Sequence, residues 1–308
     1  MLLLSEQQVR QLADVDEVIC AIRGAFARDF NATLRMPVRS TLPLDDGGVL
    51  LLMPAWDSAM GYAGVKLVTV TRAAGVNAAY ELLDANTGKI LARMEANWLT
   101  DLRTAATSAI ATDLLARGDV KTLGIFGSGR QAIAHFAVLP RVRSFSRFLV
   151  CGSGGADLST FCARMNQAHG ITVEPVDAAA CAGESDVICT CTTSPVPVFD
   201  GRMLRPGTHL NLVGAFQSGT REVDDETMRH ARIVVDTYEG ALAEAGDLLI
   251  PLQNGSITRG QVIGDLHEIA GRKKQGRTSA TEITLFKSVG CALEDLITAK
   301  LIYERARA

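Results

Sequence analysis

An apolar run at residues 121–126 leads directly into Gly-Ser-Gly-Arg-Gln-Ala at residues 127–132, and a helix-like segment follows. This spacing is typical of a turn that receives the pyrophosphate of a dinucleotide. Gly127 permits the tight turn, Gly129 lets the backbone approach phosphate, and the small Ala132 lets the helix pack on the strand. The helix N-terminus adds N–H groups and the positive end of a dipole. The segment therefore predicts a dinucleotide site; the alternative is a tight strand–helix turn in an ordinary α/β domain.

The region around this turn alternates between strand and helix patterns. Such alternation predicts a parallel sheet with right-handed crossovers, the Rossmann-type arrangement of an α/β protein. Helices are expected at residues 130–139 and 156–169. Strands are expected at residues 121–126, 147–152, 171–176, 186–192, 208–214 and 232–236.

The two ends of the chain follow other patterns. Residues 5–30 carry apolar positions at helical spacing after a capping serine, which predicts one helix. Residues 36–95 contain short apolar runs separated by turn signals, which predicts strands, and a helix is expected to follow up to residue 116. Residues 279–307 carry one apolar stripe, which predicts a helix that packs back on the first domain.

The 308 residues are enough for two domains. We expect a strand-rich α+β domain at residues 1–115, joined by a C-terminal helix at 280–308. We expect a Rossmann-type dinucleotide-binding domain at residues 116–279.

Composition excludes several classes of function. A net charge of −3 favours neither nucleic-acid nor membrane binding, and no apolar run reaches the roughly 20 residues of a membrane helix. The first residues lack the basic and long apolar regions of a signal peptide. The seven cysteines are odd in number and have no disulfide or zinc spacing, so no metal site is expected. These features predict a soluble cytoplasmic protein.

Three basic residues of the first domain are candidates for substrate binding. Lys66 lies within the apolar strand Gly-Val-Lys-Leu-Val, where a charge needs a partner or a cavity. Arg39 and Arg103 have the planar fork that suits a substrate carboxylate. The alternatives are a lysine on an edge strand and arginines on the surface or in salt bridges.

The chain resembles the ornithine cyclodeaminase/μ-crystallin family of NAD(P)-dependent proteins. The resemblance covers nearly the whole sequence. Its motifs are Leu-Met-Pro at 52–54, Gly-Val-Lys at 64–66, Leu-Arg-Thr-Ala-Ala-Thr-Ser at 102–108, Gly-Ser-Gly-Arg-Gln-Ala at 127–132, Asn-Leu-Val-Gly-Ala at 211–215, Arg-Glu at 221–222 and Ile-Thr-Leu-Phe-Lys-Ser at 283–288.

The resemblance implies roles for matching residues. Arg39 and Arg103 match arginines that hold the substrate carboxylate, and Lys66 matches the lysine at the reacting carbon–nitrogen centre. It also implies a homodimer formed through the strand-rich first domain. The positions that match cofactor-binding residues are Thr104, Gly127, Ser128, Gly129, Arg130, Gln131, Thr190, Val213, Gly214 and Ser288.

Two positions depart from the cyclodeaminase pattern. Leu51 and Phe216 stand where ornithine cyclodeaminases carry acids, and neither can shuttle protons or pair with a second ammonium. The chain is more similar to the family's cyclic imine reductases, which convert Δ1-pyrroline-2-carboxylate or Δ1-piperideine-2-carboxylate to L-proline or L-pipecolate. The pocket would then consist of two arginines, Lys66 and apolar walls formed by Leu51, Met53 and the substrate-binding Phe216, without a carboxylate side chain.

The expected chemistry is hydride transfer from the cofactor to C2 of the imine. Lys66 either donates a proton to the ring nitrogen or only neutralises the carboxylate while water protonates the nitrogen. Other family activities, such as ornithine cyclodeamination or alanine dehydrogenation, remain alternatives, as does a non-enzymatic NADPH-binding protein of the μ-crystallin type.

The end of the second strand of the nucleotide fold predicts the cofactor. An acid there binds the ribose 2′-hydroxyl of NAD, and this chain has Gly152 and Ser153 instead. Their hydroxyl and N–H groups could receive a 2′-phosphate. The sequence therefore favours NADPH, with NADH as the alternative.

Overall fold

A computed structural model describes residues 1–29, 32–45, 47–71, 73, 75–153 and 157–308. The chain forms two compact units. The first consists of residues 1–107 and 290–308, and the second of residues 108–289.

The first unit is built on a mixed sheet. In the part of the chain that the structure describes, its seven strands have the order β1-β7-β6-β5-β4-β2, and β3 also pairs with β4. The strand β1 is parallel to β7, and the other pairs are antiparallel. Its strands are β1 (Leu2–Leu4), β2 (Leu34–Arg35), β3 (Ser40–Pro43), β4 (Val49–Asp57), β5 (Tyr62–Thr71), β6 (Gly75–Asp84) and β7 (Ile90–Glu95). Its helices are α1 (Glu6–Leu12), α2 (Val15–Ala27), the first part of α3 (Asn97–Leu115) and α11 (Ala292–Arg307).

One face of this sheet is buried and the other is half-exposed. Residues of β4, β5 and β6 alternate between the two faces, as the two-residue period of a strand requires. The helix α11 packs against these three strands. Its first two turns, Ala292–Ala299, are buried on all sides, so any polar side chain there needs a partner.

The second unit is a doubly wound α/β unit. Within the described residues its eight strands are all parallel, in the order β10-β9-β8-β11-β12-β15-β13-β14. The strands are β8 (Thr122–Phe126), β9 (Arg147–Cys151), β10 (Glu174–Pro175), β11 (Val187–Thr190), β12 (His209–Leu212), β13 (Ala231–Val235), β14 (Val262–Asp265) and β15 (Ile283–Lys287). The helices are the end of α3, then α4 (Arg130–Val138), α5 (Ser159–His169), α6 (Ala178–Glu184), α7 (Asp225–His230), α8 (Tyr238–Glu244), α9 (Gly246–Gln253) and α10 (Leu266–Ala270).

The C-terminal prediction is wrong in its first half. Residues 279–307 do not form one helix, because Ile283–Lys287 is a central strand of the second sheet. Gly290 then turns the chain with a φ of +81°, and α11 begins at Ala292. The sequence Ile-Thr-Leu-Phe-Lys fits the period of a strand as well as that of a helix. Five residues are too few to distinguish these two structures by periodicity.

The predicted N-terminal helix is also divided. Asp14 caps a second helix, so α1 ends at Leu12 and α2 begins at Val15. Residue 30, the predicted end, lies outside the described residues. So does residue 156, the expected start of the helix that the structure begins at Ser159.

Within the described residues, no helix has both the length and the apolar character required to cross a bilayer.

Candidate functional site

Lys66 lies at the centre of the buried face of the first sheet. Its register partners are Met53 on β4 and Tyr80 on β6, so the three side chains form one row across the sheet. All three are buried, and only 1% of Lys66 is exposed. A lysine at such a position requires a fixed counter-charge. The hydroxyl of Tyr80 is buried too, and no hydrogen-bond partner is found for it among the described residues.

The counter-charge comes from α11. The Nζ atom of Lys66 donates to Oδ1 of Asp295 at 2.8 Å, and both side chains are buried. The same oxygen lies 3.0 Å from Nε of Arg103, an ion-pair distance without hydrogen-bond alignment. One carboxylate oxygen on α11 thus contacts cations from β5 and α3.

Arg103 has a second acidic partner. Its Nη1 atom donates to Oε2 of Glu294 at 2.5 Å. The guanidinium also lies against Gly290, where a β-carbon would be 2.5 Å from Nη1. Arg39 approaches the same glycine, because its Nη2 atom donates to the carbonyl of Gly290 at 3.5 Å. The backbone at the start of α11 therefore brings Arg39 and Arg103 together.

These contacts shift the pKa values of the basic groups. Burial and the charge of Arg103 lower the pKa of Lys66, Asp295 opposes both effects, and the resulting pKa is about 8. Burial also lowers the pKa of Arg103, but Asp295 and Glu294 outweigh burial and raise the pKa above its usual value. Arg103 is therefore permanently charged, and Lys66 can exchange a proton near neutral pH.

The expectation of a site without carboxylate side chains is wrong. Glu294 and Asp295 are buried beside the basic groups, as salt-bridge partners of Arg103. The two acids fall among Leu293, Leu296 and Ile297, and only the structure shows that these first two turns of α11 are buried on all sides. With Arg39, Lys66 and Arg103, the five groups carry a formal net charge of +1.

The apolar residues of interest are divided between the units. Leu51 and Met53 are buried on the same sheet face as Lys66, and Met53 belongs to the core of the first unit. Phe216 lies in the second unit, partly buried against its core. Thr104 lies in the first unit, buried in α3.

The predicted pyrophosphate turn follows β8 as expected. Gly127 has a φ of +108°, and a β-carbon there would lie 2.5 Å from the carbonyl oxygen of Cys191, so only glycine fits. A β-carbon on Gly129 would meet nothing within 4 Å. Gly129 is the N-cap of α4 and makes no side-chain capping hydrogen bond. Ser128 and Arg130 are exposed, and this open turn fits a dinucleotide pyrophosphate.

A buried carboxylate joins two other strand ends of the second sheet. Glu222 accepts hydrogen bonds from the Thr190 hydroxyl at the end of β11 and from the backbone N–H groups of Gly214 and Ala215 after β12, at 2.7–3.1 Å. It also accepts from the N–H and hydroxyl of Thr192, both at 2.8 Å. Burial raises the pKa of Glu222. Ligands of open α/β sheets bind outside the carboxyl ends of the strands, where these loops lie.

The same network continues to β15. Asp247 accepts from the backbone N–H of Glu222 at 2.7 Å and lies 2.9 Å from Nζ of Lys287. Lys287 also donates to the carbonyl of Ala215 at 2.5 Å. Lys287 and Asp247 were not among the predicted site residues, although Lys287, like Lys66, is a lysine in an apolar strand.

The other predicted cofactor residues have the following positions. Val213 and Gly214 are partly exposed in the loop after β12, and both N–H groups donate to the Thr190 carbonyl. Ser288 is buried and its hydroxyl donates to Asp236 at 3.2 Å. The hydroxyls of Thr190 and Ser288 therefore support the loops.

The second strand of the nucleotide fold, β9, ends at Cys151. Gly152 is half-exposed and Ser153 is exposed directly after it. The next residues of the glycine-rich sequence, 154 and 155, lie outside the described residues. Across the described part of the chain, no cluster of three or more His, Cys, Asp or Glu side chains could hold a metal ion.

The sequence profile of the ornithine cyclodeaminase/mu-crystallin family matches residues 1–308. The chain belongs to this family. It is 34% identical to a Δ1-pyrroline-2-carboxylate reductase of Bacillus cereus over 316 aligned residues, which cover 99% of this chain and 97% of the relative. Two solved structures of the same fold are similar over their full length.

The first is the Δ1-pyrroline-2-carboxylate reductase of Thermococcus litoralis in complex with NADH and L-proline. It has a TM-score of 0.96 and 38% identity, and the match covers 100% of this chain and 98% of that one. The second is an archaeal alanine dehydrogenase dimer with bound NAD. It has a TM-score of 0.93 and 32% identity, with coverage of 100% and 96%. These matches confirm the predicted family and the predicted α/β, nicotinamide-dinucleotide-binding fold.

Proposed function

We propose that this chain is an oxidoreductase that reduces a cyclic imino acid to the corresponding L-amino acid with a nicotinamide dinucleotide. The substrates would be Δ1-pyrroline-2-carboxylate, Δ1-piperideine-2-carboxylate or both, and the products L-proline and L-pipecolate. The main support is the cluster of the half-buried Arg39 with the buried Lys66 and Arg103, which together with Glu294 and Asp295 carries a formal net charge of +1. One excess positive charge suits one substrate carboxylate. The similarity to two pyrroline-2-carboxylate reductases supports the same reaction.

The basic groups would have separate roles. Arg39 and Arg103, which meet at Gly290, would bind the carboxylate and orient the ring. Lys66 would donate a proton to the ring nitrogen, since its pKa of about 8 suits proton transfer near neutral pH. Met53, beside Lys66 in the sheet, would contribute an apolar wall for the ring methylenes.

The residues of the second unit would hold the cofactor. The turn at Gly127–Gly129 with the first residues of α4 would bind the pyrophosphate, and the loops after β11 and β12 would bind the nicotinamide ribose. When bound, a reduced nicotinamide supplies the hydride that C2 of the imine accepts. We propose that NADPH is used, with NADH as a second cofactor, because Gly152 and Ser153 place no acid directly after β9.

We also propose a homodimer formed through the half-exposed face of the first sheet. This face carries Leu52 and Pro54 on β4 opposite Leu67 and Val65 on β5, and Trp56 is 38% exposed. Apolar faces of this kind are typical of interfaces. One relative is described as a dimer. We expect Leu67→Glu to shift the mass measured by light scattering from dimer to monomer; a parent protein that is already monomeric would refute the proposal.

The reaction is tested by following the absorbance of the reduced cofactor with a panel of substrates. We expect oxidation of the cofactor with one or both cyclic imines and none with pyruvate plus ammonia. Turnover with pyruvate and ammonia alone would support an alanine dehydrogenase instead. Ammonia release from ornithine would support a cyclodeaminase, and no turnover with any of them would support a cofactor-binding protein without activity.

A further inference from the structure

Three elements of the first unit meet at one oxygen atom. The Oδ1 atom of Asp295 on α11 receives Lys66 of β5 at 2.8 Å and approaches Arg103 of α3 at 3.0 Å. Its second oxygen, Oδ2, is buried without a hydrogen-bond partner among the described residues. A carboxylate placed only to stabilise the fold would gain more by using both oxygens.

The groups around Lys66 make its hydrogen bond to Asp295 important for keeping the ammonium protonated. Arg103 repels the ammonium from α3, and Arg39 repels it from the segment before β3. Glu294 on α11 is bound to Arg103, and Tyr80 on β6 is a neutral register partner. Among the described residues that face Lys66, Asp295 provides the carboxylate within hydrogen-bond distance of its Nζ atom.

We propose that Asp295 is a positioning residue for the reduction: it holds the Lys66 ammonium beside Arg103 in its protonated form, aligned for proton donation to the imine nitrogen. This inference rests on the proposed function. In the donation, an N–H bond of Lys66 breaks and one forms on the ring nitrogen, while C2 accepts a hydride from a reduced nicotinamide dinucleotide. The neutral amine of Lys66 then regains a proton from water, and Asp295 stays ionised throughout.

The sign of the pH effect follows from the charges. Asp295 raises the pKa of Lys66, whereas burial and Arg103 lower it. Removing the carboxylate charge therefore lowers the pKa of Lys66 below about 8. An opposite charge at hydrogen-bond distance shifts a pKa by about 1–3 units. Activity would then be lost at a lower pH, because Lys66 would already be deprotonated.

The test uses Asp295→Asn, which keeps the shape of the side chain and removes its charge. We expect the basic limb of the kcat/KM profile to move about 1–3 pH units towards acid. The affinity for L-proline, measured by calorimetry, should fall as well, since Arg103 loses a partner. The free imine ionises in the same way in every assay. A difference between the pH profiles of two variants therefore comes from ionisation of the protein.

Two matched variants serve as controls. Glu304→Gln makes the same change in charge on the exposed end of α11, where Glu304 pairs with Lys300, and should leave the limb in place. Glu294→Gln removes the other acid of the cluster. It should raise the KM and move the basic limb of the pH profile less than Asp295→Asn does, since Glu294 contacts Arg103 rather than Lys66.

An unmoved basic limb in Asp295→Asn would overturn the inference, as would equal shifts in Asp295→Asn and Glu304→Gln. If Asp295→Asn does not fold, Asp295→Glu gives the second test, because it keeps the charge but displaces the ammonium. For Asp295→Glu we expect the basic limb of the pH profile to stay in place and kcat to fall at least about tenfold. A kcat equal to that of the parent protein would overturn the inference. Failure of the proposed function is recognised separately, since the parent protein itself would then not oxidise the cofactor with either imine.

Discussion

Arg103 and Gly290 are in direct contact: a β-carbon on Gly290 would lie 2.5 Å from Nη1 and 3.0 Å from Nη2 of the guanidinium. The same glycine accepts a hydrogen bond from Arg39. The backbone before α11 therefore determines where both arginines lie. A residue with no side chain is required for the geometry that would bind a substrate carboxylate.

Gly290→Ala should displace Arg103 and weaken carboxylate binding. We expect the KM for the cyclic imine to rise at least about tenfold, about 1.4 kcal/mol, with a smaller change in kcat. Part of any effect comes from backbone strain, because the φ of Gly290 is +81°. Gly88→Ala is the matched control, since its φ is +70° and its β-carbon would meet nothing within 4 Å. Equal KM values in the two variants would contradict the assignment of Arg103.

Glu222→Gln should weaken cofactor binding. The amide nitrogen cannot accept the hydrogen bonds that one carboxylate oxygen now receives, so donors such as the N–H of Gly214 would lose a partner. We expect the dissociation constant of NADH, measured by fluorescence without imine, to rise about tenfold or more. Glu226→Gln on α7, paired with Arg229, should have no effect. Unchanged binding in Glu222→Gln would mean that these loops do not contact the cofactor.

Ser153→Asp should change the choice of cofactor. A carboxylate placed directly after β9 repels a 2′-phosphate but accepts a hydrogen bond from a 2′-hydroxyl. We expect kcat/KM with NADPH to fall about tenfold or more while the value with NADH changes little. Ser153→Asn adds similar volume without charge and should keep the original preference. Equal losses with both cofactors would show that Ser153 does not face the ribose.

Acid should destabilise the second unit through buried histidines. Burial lowers the pKa of His135 to about 4 and that of His209 to about 3. Both are neutral in the fold but take up protons in the unfolded chain below about pH 6.5, so stability is lost as the pH falls from 6.5 towards 4. His135 uses its neutral form, with Nδ1 bound to the Gln131 carbonyl and Nε2 to the Ser108 hydroxyl.

This effect is measured by urea unfolding at pH 7 and pH 5. Each buried histidine should contribute about 2 kcal/mol to the loss of unfolding free energy between these values. His135→Gln should reduce the loss by about that amount, although the variant is less stable at both pH values. An identical pH dependence in His135→Gln and the parent would contradict the assignment.

Much of the fold could be predicted because local patterns determine it. The Gly127–Gly129 turn, the alternation in 64–71 and the strand–helix repetition each have one physical solution. The segment 283–287 could not be assigned from the sequence, because its five residues fit both a strand period and a helical period. It is a strand because it pairs with β12 on one side and β13 on the other. Lys66 could be selected as a charge within an apolar strand, and the resemblance added the roles of Arg39, Lys66 and Arg103.

The acidic partners of the site could not be found from local patterns. Glu294 and Asp295 occupy positions that a surface helix would expose, and only the burial of α11 on every side makes them partners of Lys66 and Arg103. Long-range packing of this kind has no signature within a window of the sequence. The same is true of Glu222, whose five hydrogen bonds join loops that are separated along the chain by more than twenty residues.

In the proposed reaction a hydride reaches C2 of a cyclic imino acid bound by Arg39, Lys66 and Arg103. Transfer is measured with reduced cofactor that carries deuterium in both positions at C4 of the nicotinamide, followed by mass spectrometry of the amino acid formed. We predict L-proline or L-pipecolate with one deuterium at C2, formed at the rate of cofactor oxidation and lost in Lys66→Met. An amino acid without deuterium, or with the label at another carbon, would contradict hydride transfer to C2.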